Sequence, residues 1–322
     1  MGVMEVKVFE APAGERLDIA ISVALTVSRT YAKELVTGGF VQLDGRPTAK
    51  AATKLAGSEL VSVLLPPPKP MRVEPEDLPL DIIYEDDDLA AINKPPGMTA
   101  HPTASLRSGT VVNALLGRMA LAKERFFDPE ADDYRPGIVH RLDKETSGVM
   151  VVAKHTDAHR ALSAAFKKRL SEKEYIAIAV GSLDDDLYMD APIGRHPLHG
   201  RKMTVGGGNP RGASTYFRVL ARTPGGAKQT RPSYLLVRAK PHTGRTHQIR
   251  VHLAHLGAPI LGDGVYGKAS SLIPRHALHA RRLTLPHPRD HQAITFEAQV
   301  PADMVAAWLE LGGSWPPEPG FE

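Results

Sequence analysis

The chain has 322 residues, no cysteine, 42% hydrophobic residues and a formal net charge of +4. The lack of cysteine excludes disulfides, thiolate zinc sites and thiol nucleophiles, and the apolar fraction excludes global disorder. Charge is unevenly laid out: residues 1–65 balance, residues 66–88 carry a net −6, and residues 89–322 a net +10. A plain solvated surface produces such a count, and so does a body built for a polyanionic partner. The length suits a domain of about 200–250 residues plus a small one. The opening MGVMEVKVFEAPAGE holds acids and no apolar core, which argues against a signal peptide. No stretch reaches the length of a membrane span, so the expectation is a cytoplasmic protein with no membrane contact.

In chain order, residues 14–65 read as a small module. Leu17, Ala20, Ile21, Ala24 and Leu25 recur at helical spacing. Ser28 is placed to cap a second helix with Tyr31, Leu35 and Val36 on one face, ended by Gly38-Gly39. FVQLDGRP reads as a strand entering an Asp44-Gly45 turn, and GSELVSVLLP as a closing strand. Two short helices, a V-x-L-D-G turn and a terminal apolar strand resemble the S4 RNA-binding domain. The resemblance implies that basic residues here, Arg16, Arg29, Lys33 and Lys50 among them, touch RNA phosphates.

Residues 66–81, PPPKPMRVEPEDLPLD, read as a stiff proline-rich linker. A second domain is expected over 82–315. It opens on the strands of DIIYEDDDLAAINK and continues with GVMVVAK as a buried strand. Residues 157–170 then form a helix with Leu162, Ala165, Phe166 and Leu170 inward. EYIAIAVG and SYLLVRAK follow as strands, and HQIRVHLAHLG as a helix. Strands outnumber helices without βαβ alternation, so the fold class is α+β with a mixed, mostly antiparallel sheet. The Gly206-Gly207-Gly208 run lacks the Lys-Ser/Thr of a phosphate loop and reads as a flexible loop.

Three blocks exceed what folding alone needs: NKPPGMTAHPT at 93–103, GIVHRLDKETSGVMVVAK at 137–154, and KPHTGRTHQIRVHLAHLGAPILGDGVYG at 240–267. In the second block one acid, Asp143, stands between Arg141 and Lys144 at the mouth of a buried strand. Neighbouring cations favour the charged form of a carboxylate. A metal site from His242, His247, His252 and His255 lacks an H-E-x-x-H pattern and has Arg245 and Arg250 in its midst, so no metal is expected. Ser147 lacks a G-x-S-x-G elbow, and Glu145 is too close to serve as the second acid of a glycosidase. One aspartate among arginines, in a basic protein, remains.

Together the blocks H-R-L-D-x-x-T-S-G, K-x-Y and T-G-R-x-H-Q-I-R resemble those of the RluA-type pseudouridine synthases. VVNALL, APIGRHP and LHARRLTLPHP are most similar to the RluD-type members, which act on large-subunit ribosomal RNA. Departures are Ala258, Glu145 and Thr99-Ala100, none at a proposed catalytic position. The resemblance implies an isomerase of uridine in RNA, without cofactor, with Asp143 as nucleophile and Arg250 pairing with it. It implies that Tyr175 stacks on the uracil and is a candidate to accept the C5 proton, and that Arg141 fills the gap left by the flipped nucleotide. His140, Arg245 and His247 are further RNA-contact candidates, with His140 expected mainly to shape its loop. Ile249, Leu142 and Leu253 are expected in the core. The expected partner is RNA, and the expected assembly a monomer. Alternatives are a transfer-RNA pseudouridine synthase, a ribosome-associated RNA-binding protein without catalysis, and a hydrolase using Asp143 with water. An RNA mass measurement separates isomerisation from hydrolysis.

Overall fold

The structure is a computed structural model that describes residues 5–25, 27, 29–66, 73–102, 106–118, 137–200, 202–223, 233–317 and 321. It divides into two compact units, Met1–Met71 and Arg72–Glu322. Among the described residues no helix is long and apolar enough to cross a membrane.

The first unit contains β1 (Glu5–Glu10), α1 (Leu17–Ala24), α2 (Arg29–Thr37), β2 (Val41–Leu43), β3 (Arg46–Pro47) and β4 (Leu60–Leu65). The strands form one antiparallel sheet in the order β1-β4-β2-β3. Leu17, Ala20 and Ile21 of α1 and Ala32, Leu35 and Val36 of α2 form the core with Val41, Val61 and Val63. Ala24, expected on the inner face, is exposed because α1 ends there. Ser28, the expected cap of α2, lies outside the described residues. Asp44 (φ 47°) and Gly45 (φ 75°) are both left-handed, as a two-residue hairpin turn requires. Sequence reading began this module at residue 14 and missed β1. The alternation of E-V-K-V-F was visible, but Val6 and Val8 point outward and only Phe9 packs on the core.

The second unit begins earlier than residue 82. Val73 and Leu80, inside the expected linker, are buried, and the Glu76 backbone N–H donates to Asn113 O. The unit's elements are β5 (Asp81–Glu85), β6 (Leu89–Lys94), α3 (Val111–Arg118), β7 (Ser147–Ala153), α4 (Thr156–Lys167), β8 (Glu172–Val180), β9 (Asp186–Asp190), β10 (Ile193–Arg195), β11 (Met203–Val205), β12 (Gly208–Arg211), β13 (Ser214–Arg222), β14 (Tyr234–Pro241), α5 (Gln248–His255), β15 (Leu278–Pro286), β16 (Ala293–Glu297) and α6 (Ala302–Glu310). The main sheet runs β5-β6-β7-β15-β8-β14-β13-β9, with β16 also pairing with β15. Its pairings are antiparallel except β7 with β15. The architecture is therefore α+β with a mixed, mostly antiparallel sheet.

Two expectations change. Leu170 is exposed, because α4 ends at Lys167 and Arg169 turns left-handed at φ 60°. The triple glycine is no flexible loop. Gly206-Gly207 turn between β11 and β12 of a three-stranded sheet, where a Cβ on Gly207 would lie 2.5 Å from Arg195 O.

The centre of the sheet sets up the site. All of β7 is buried, as seven consecutive apolar or small residues require. Gly148, at its start, has φ 113°, and a Cβ there would lie 2.2 Å from Ala280 O. Glycine alone lets β7 lie beside β15 at this point. Ala280 is registered against Gly148 on one side and Tyr175 of β8 on the other. The loop before β7 and the tyrosine on β8 thus stand two strand spacings apart, about 10 Å.

Candidate active site

Asp143 sits in the loop entering β7. Within H-R-L-D, Arg141 is exposed, Leu142 is buried in the core with Met150 and Ile138, and Asp143 is half-buried. Anchoring Leu142 leaves its two neighbours facing outward. The Thr146 N–H donates to Asp143 O (3.1 Å) and closes the turn. Thr146 Oγ1 and His276 Nε2 are 2.8 Å apart. Burial pulls the His276 pKa down to about 4, with the nearby Arg250 cation acting in the same direction.

A second strut comes from the first block. Lys94 is fully buried, and its ammonium donates to the carbonyls of Pro95 (2.7 Å), Met98 (2.9 Å) and Lys144 (3.0 Å). Burial lowers its pKa to about 7, while three carbonyls use all three ammonium hydrogens. The NKPPG turn is thereby tied to the residue next to Asp143.

Ser147 is no nucleophile. It is buried, and its Oγ lies 3.0 Å from His279 Nδ1. His279 Nε2 lies 3.1 Å from Ala298 O, so that nitrogen carries the proton and Ser147 donates to Nδ1. His140 shapes the loop as expected. Its Nε2 accepts from the Val151 N–H (2.9 Å), and its ring stacks on Phe166 at 4.5 Å. Burial lowers its pKa to about 3, so it is neutral.

The cation paired with Asp143 comes from far along the chain. Arg250 Nη1 donates to Asp143 Oδ2 at 2.9 Å. Arg141 and Lys144, the sequence neighbours, make no ion pair with Asp143. Arg250 is held in turn by Asp263, which accepts from Nε (2.7 Å) and Nη2 (2.9 Å) in a bidentate pair. Asp263 is 1% exposed, and its Oδ1 also accepts from the Val265 (2.9 Å) and Tyr266 (3.2 Å) N–H groups. Burial works against both charges. Asp263, then Asp143, nevertheless raise the Arg250 pKa, and Arg250 lowers that of Asp263. The Arg250 guanidinium also lies 5.1 Å from the centre of the Tyr266 ring.

The T-G-R-T-H-Q turn delivers Arg250. Gln248 Oε1 accepts from Thr243 Oγ1 (2.6 Å) and Arg245 N (3.0 Å), and its Nε2 donates to Ser214 O and Thr215 Oγ1 (both 3.0 Å). His247 enters α5 in the left-handed region at φ 58°. Its Nδ1 lies 2.8 Å from the Tyr266 hydroxyl and its Nε2 3.8 Å from Asp143 Oδ2. Burial lowers its pKa. Arg245 is half-buried, with Nε donating to Gly212 O (3.0 Å).

These elements surround an open cleft of about 610 Å³ lined by Asp143, Arg141, His140, Tyr175, Arg245, His247 and Arg250 together. Ile249 and Leu142 serve both core and cleft wall, and Leu253 is core alone. Tyr175 packs between two core clusters. Burial first, and the charge of Asp143 second, push its phenol pKa up.

The four histidines considered for a metal do not converge. His252 is bound to Thr215 and Ala191, and His242 stands beside Tyr188. Among the described residues the one group with metal-binding geometry is Asp86, Asp88 and His287. Its atoms are engaged with one another and with His155 and Arg289, and none lines the cleft.

Residues 88–255 match the RNA pseudouridylate synthase family. The chain belongs to that family. It is 40% identical over 309 residues to an uncharacterized RNA pseudouridine synthase of Aquifex aeolicus, covering 92% of this chain and 94% of that one. It is 41% identical over 314 residues to ribosomal large subunit pseudouridine synthase D of Vibrio vulnificus, covering 92% and 90%. The Escherichia coli K12 protein of the same name is 38% identical over 315 residues, covering 92% and 91%. The structure of human RNA pseudouridylate synthase domain containing 4 superposes with a TM-score of 0.54 at 27% identity, over 72% of this chain and 93% of that one. The protein is therefore an RNA pseudouridine synthase, an isomerase of uridine in RNA.

Sequence reading missed Asp263, Tyr266, Lys94 and Ala280. Asp263 stands 13 residues after Arg250 in the third block. A lone Asp inside G-D-G-V-Y-G was the available signal.

Proposed function

We propose that this pseudouridine synthase acts on large-subunit ribosomal RNA with Asp143 as its nucleophile. The observation that carries the reading is a single carboxylate open to the cleft, hydrogen-bonded to a buried arginine already neutralised by a second, hidden acid. In the reaction the N1–C1′ bond breaks and a C5–C1′ bond forms. C5 loses a proton and N1 gains one, so the RNA keeps its mass. The base must turn between the two steps, and a fixed carboxylate can hold the fragment meanwhile, by adding to C1′ or to the ring or by taking a ribose proton. Arg250 orients Asp143. Tyr175 contacts the uracil as a neutral phenol, since its raised pKa disfavours a phenolate base at neutral pH. Arg141, exposed at the rim, fills the place of the extruded base. Arg245 and His247 lie where RNA enters.

The relatives named ribosomal large subunit pseudouridine synthase D, at about 40% identity along most of the chain, support a ribosomal substrate. The reading includes residues 14–65 as an S4-like RNA grip, and a cytoplasmic monomer that works without metal or organic cofactor. Pseudouridine mapping of cellular RNA with and without this protein tests it. Loss confined to large-subunit ribosomal RNA is expected, and loss confined to transfer RNA overturns the substrate assignment.

A further inference from the structure

β8 carries a further cation, Lys173, into the cleft. Its alternation sends Lys173 and Tyr175 to the cleft face and Glu172 and Glu174 to the other. Glu174 is spent there on Arg281 (3.3 Å), Arg238 (3.5 Å) and Lys240 (3.6 Å). Lys173 is half-buried, and its ammonium lies 5.8 Å from the centre of the Phe166 ring of α4. A Cβ built on Gly244 would lie 3.8 Å from Lys173 Nζ, so the T-G-R turn closes over the same ammonium. Among the described residues no carboxylate pairs with it. Burial alone lowers its pKa, with no acid in opposition. The cleft's buried arginine, by contrast, holds two carboxylates.

A half-desolvated ammonium without an anion is unfavourable unless a ligand supplies one. The ligand of this cleft is a phosphodiester chain. Alternate residues of a strand stand roughly 7 Å apart, so Lys173 lies within about one nucleotide of a base resting on Tyr175. Lysine suits the task, being a compact point charge that one phosphate oxygen can meet from any direction. We infer that Lys173 is the binding site for one backbone phosphate next to the target uridine, the third side of a pocket made with Phe166 and the Gly244 turn. This inference rests on reading the cleft as the active site.

The test uses the full-length enzyme and a synthetic RNA spanning the mapped target uridine, with one neutral methylphosphonate linkage placed at each successive position. Binding by the wild type should weaken about tenfold at one flanking linkage. Lys173→Met should weaken binding of the unmodified RNA by a similar factor and flatten the salt dependence by the 0.7–0.9 log-log unit expected for roughly one phosphate. In that variant the sensitive linkage should lose its effect, whereas Lys173→Arg should keep it. The loss should fall in Kd more than in the saturated single-turnover rate. Independent penalties at every linkage in both proteins would overturn the inference, as would a Lys173→Met loss confined to the saturated rate. The wild-type linkage scan stands even if the Met variant folds poorly, because insensitivity at every flanking linkage also refutes it. Asp143→Asn in the same assay separates the two readings. Retained turnover removes the cleft as active site, while an inactive Asp143→Asn with no coupled linkage removes Lys173 alone.

Discussion

The two units each build a cluster from aspartate and arginine, in opposite proportions. In the first unit one acid serves two arginines. Asp18, 4% exposed, accepts from Arg16 Nε and Nη2 and from Arg29 Nε, all at 3.0 Å, while both arginines stay about half exposed. In the second unit one arginine serves two acids. Arg250 is buried in the cleft wall, Asp263 is hidden behind it, and of the two acids only Asp143 reaches the cleft. The first arrangement hides its acid and presents positive charge to solvent, which suits a grip on phosphate. The second hides its cation and presents a carboxylate, which suits attack on an electron-poor carbon. In each case the buried member is fully paired, because an unpaired buried charge is costly. The outward member is the one left for a ligand.

Breaking the second cluster at its open end should have the largest effect. Asp143→Asn is nearly isosteric but a poor nucleophile. Single-turnover assays should show a loss above about 1000-fold, more than about 4 kcal/mol in the barrier, with RNA affinity intact or higher because a negative charge near phosphate is gone. Turnover near the wild-type level would remove Asp143 from the chemistry.

Breaking it at its centre should instead damage folding. Arg250→Ala leaves Asp263 buried and unpaired, so thermal or urea unfolding should register a loss of about 3–5 kcal/mol. Adding Asp263→Asn should recover part of that loss, since the two residues couple directly. Strictly additive penalties would show that the pair is not the origin of the effect.

Removing the first cluster altogether should hurt selection more than chemistry. Without residues 1–70, affinity for a large ribosomal RNA should fall roughly a hundredfold, as expected when a tethered second contact is lost. Turnover on a short stem-loop should persist, and the salt slope on the large RNA should become shallower. Equal losses on both RNAs with an unchanged slope would make the N-terminal unit a structural part.

The smallest expected effect is acid sensitivity at Asp18. The Arg16 hydrogen bonds lower its pKa from 3.8 to about 2, against a burial penalty and with help from Arg29. A depressed carboxyl pKa contributes stability that is present above about pH 4 and lost as pH falls towards 2. Since the arginines are largely solvated, the contribution is about 1 kcal/mol. Acid titration of the wild type against Asp18→Asn should show this component between those pH values in the wild type alone. Identical acid profiles would mean that Asp18 contributes no such pH-dependent stability.

What was legible in the amino-acid order was whatever a short stretch of chain decides for itself. The apolar run of β7, the amphipathic face of α4 and the Asp44-Gly45 turn follow from side-chain period and backbone freedom over a few residues. So does the exposure of Asp143 beside buried Leu142. The functional blocks were equally legible, because each is contiguous. Tertiary structure decided which blocks meet. Asp143 and Arg250 lie 107 residues apart, and their contact depends on sheet order, on the parallel pairing of β7 with β15, and on Gly148 allowing it. Ala280 carries no chemistry, yet its register sets Gly148 and Tyr175 on either side of one strand. Lys94 and Asp263 were invisible for a related reason. A charge is costly to bury alone, and only the fold reveals that three carbonyls surround one and a guanidinium the other.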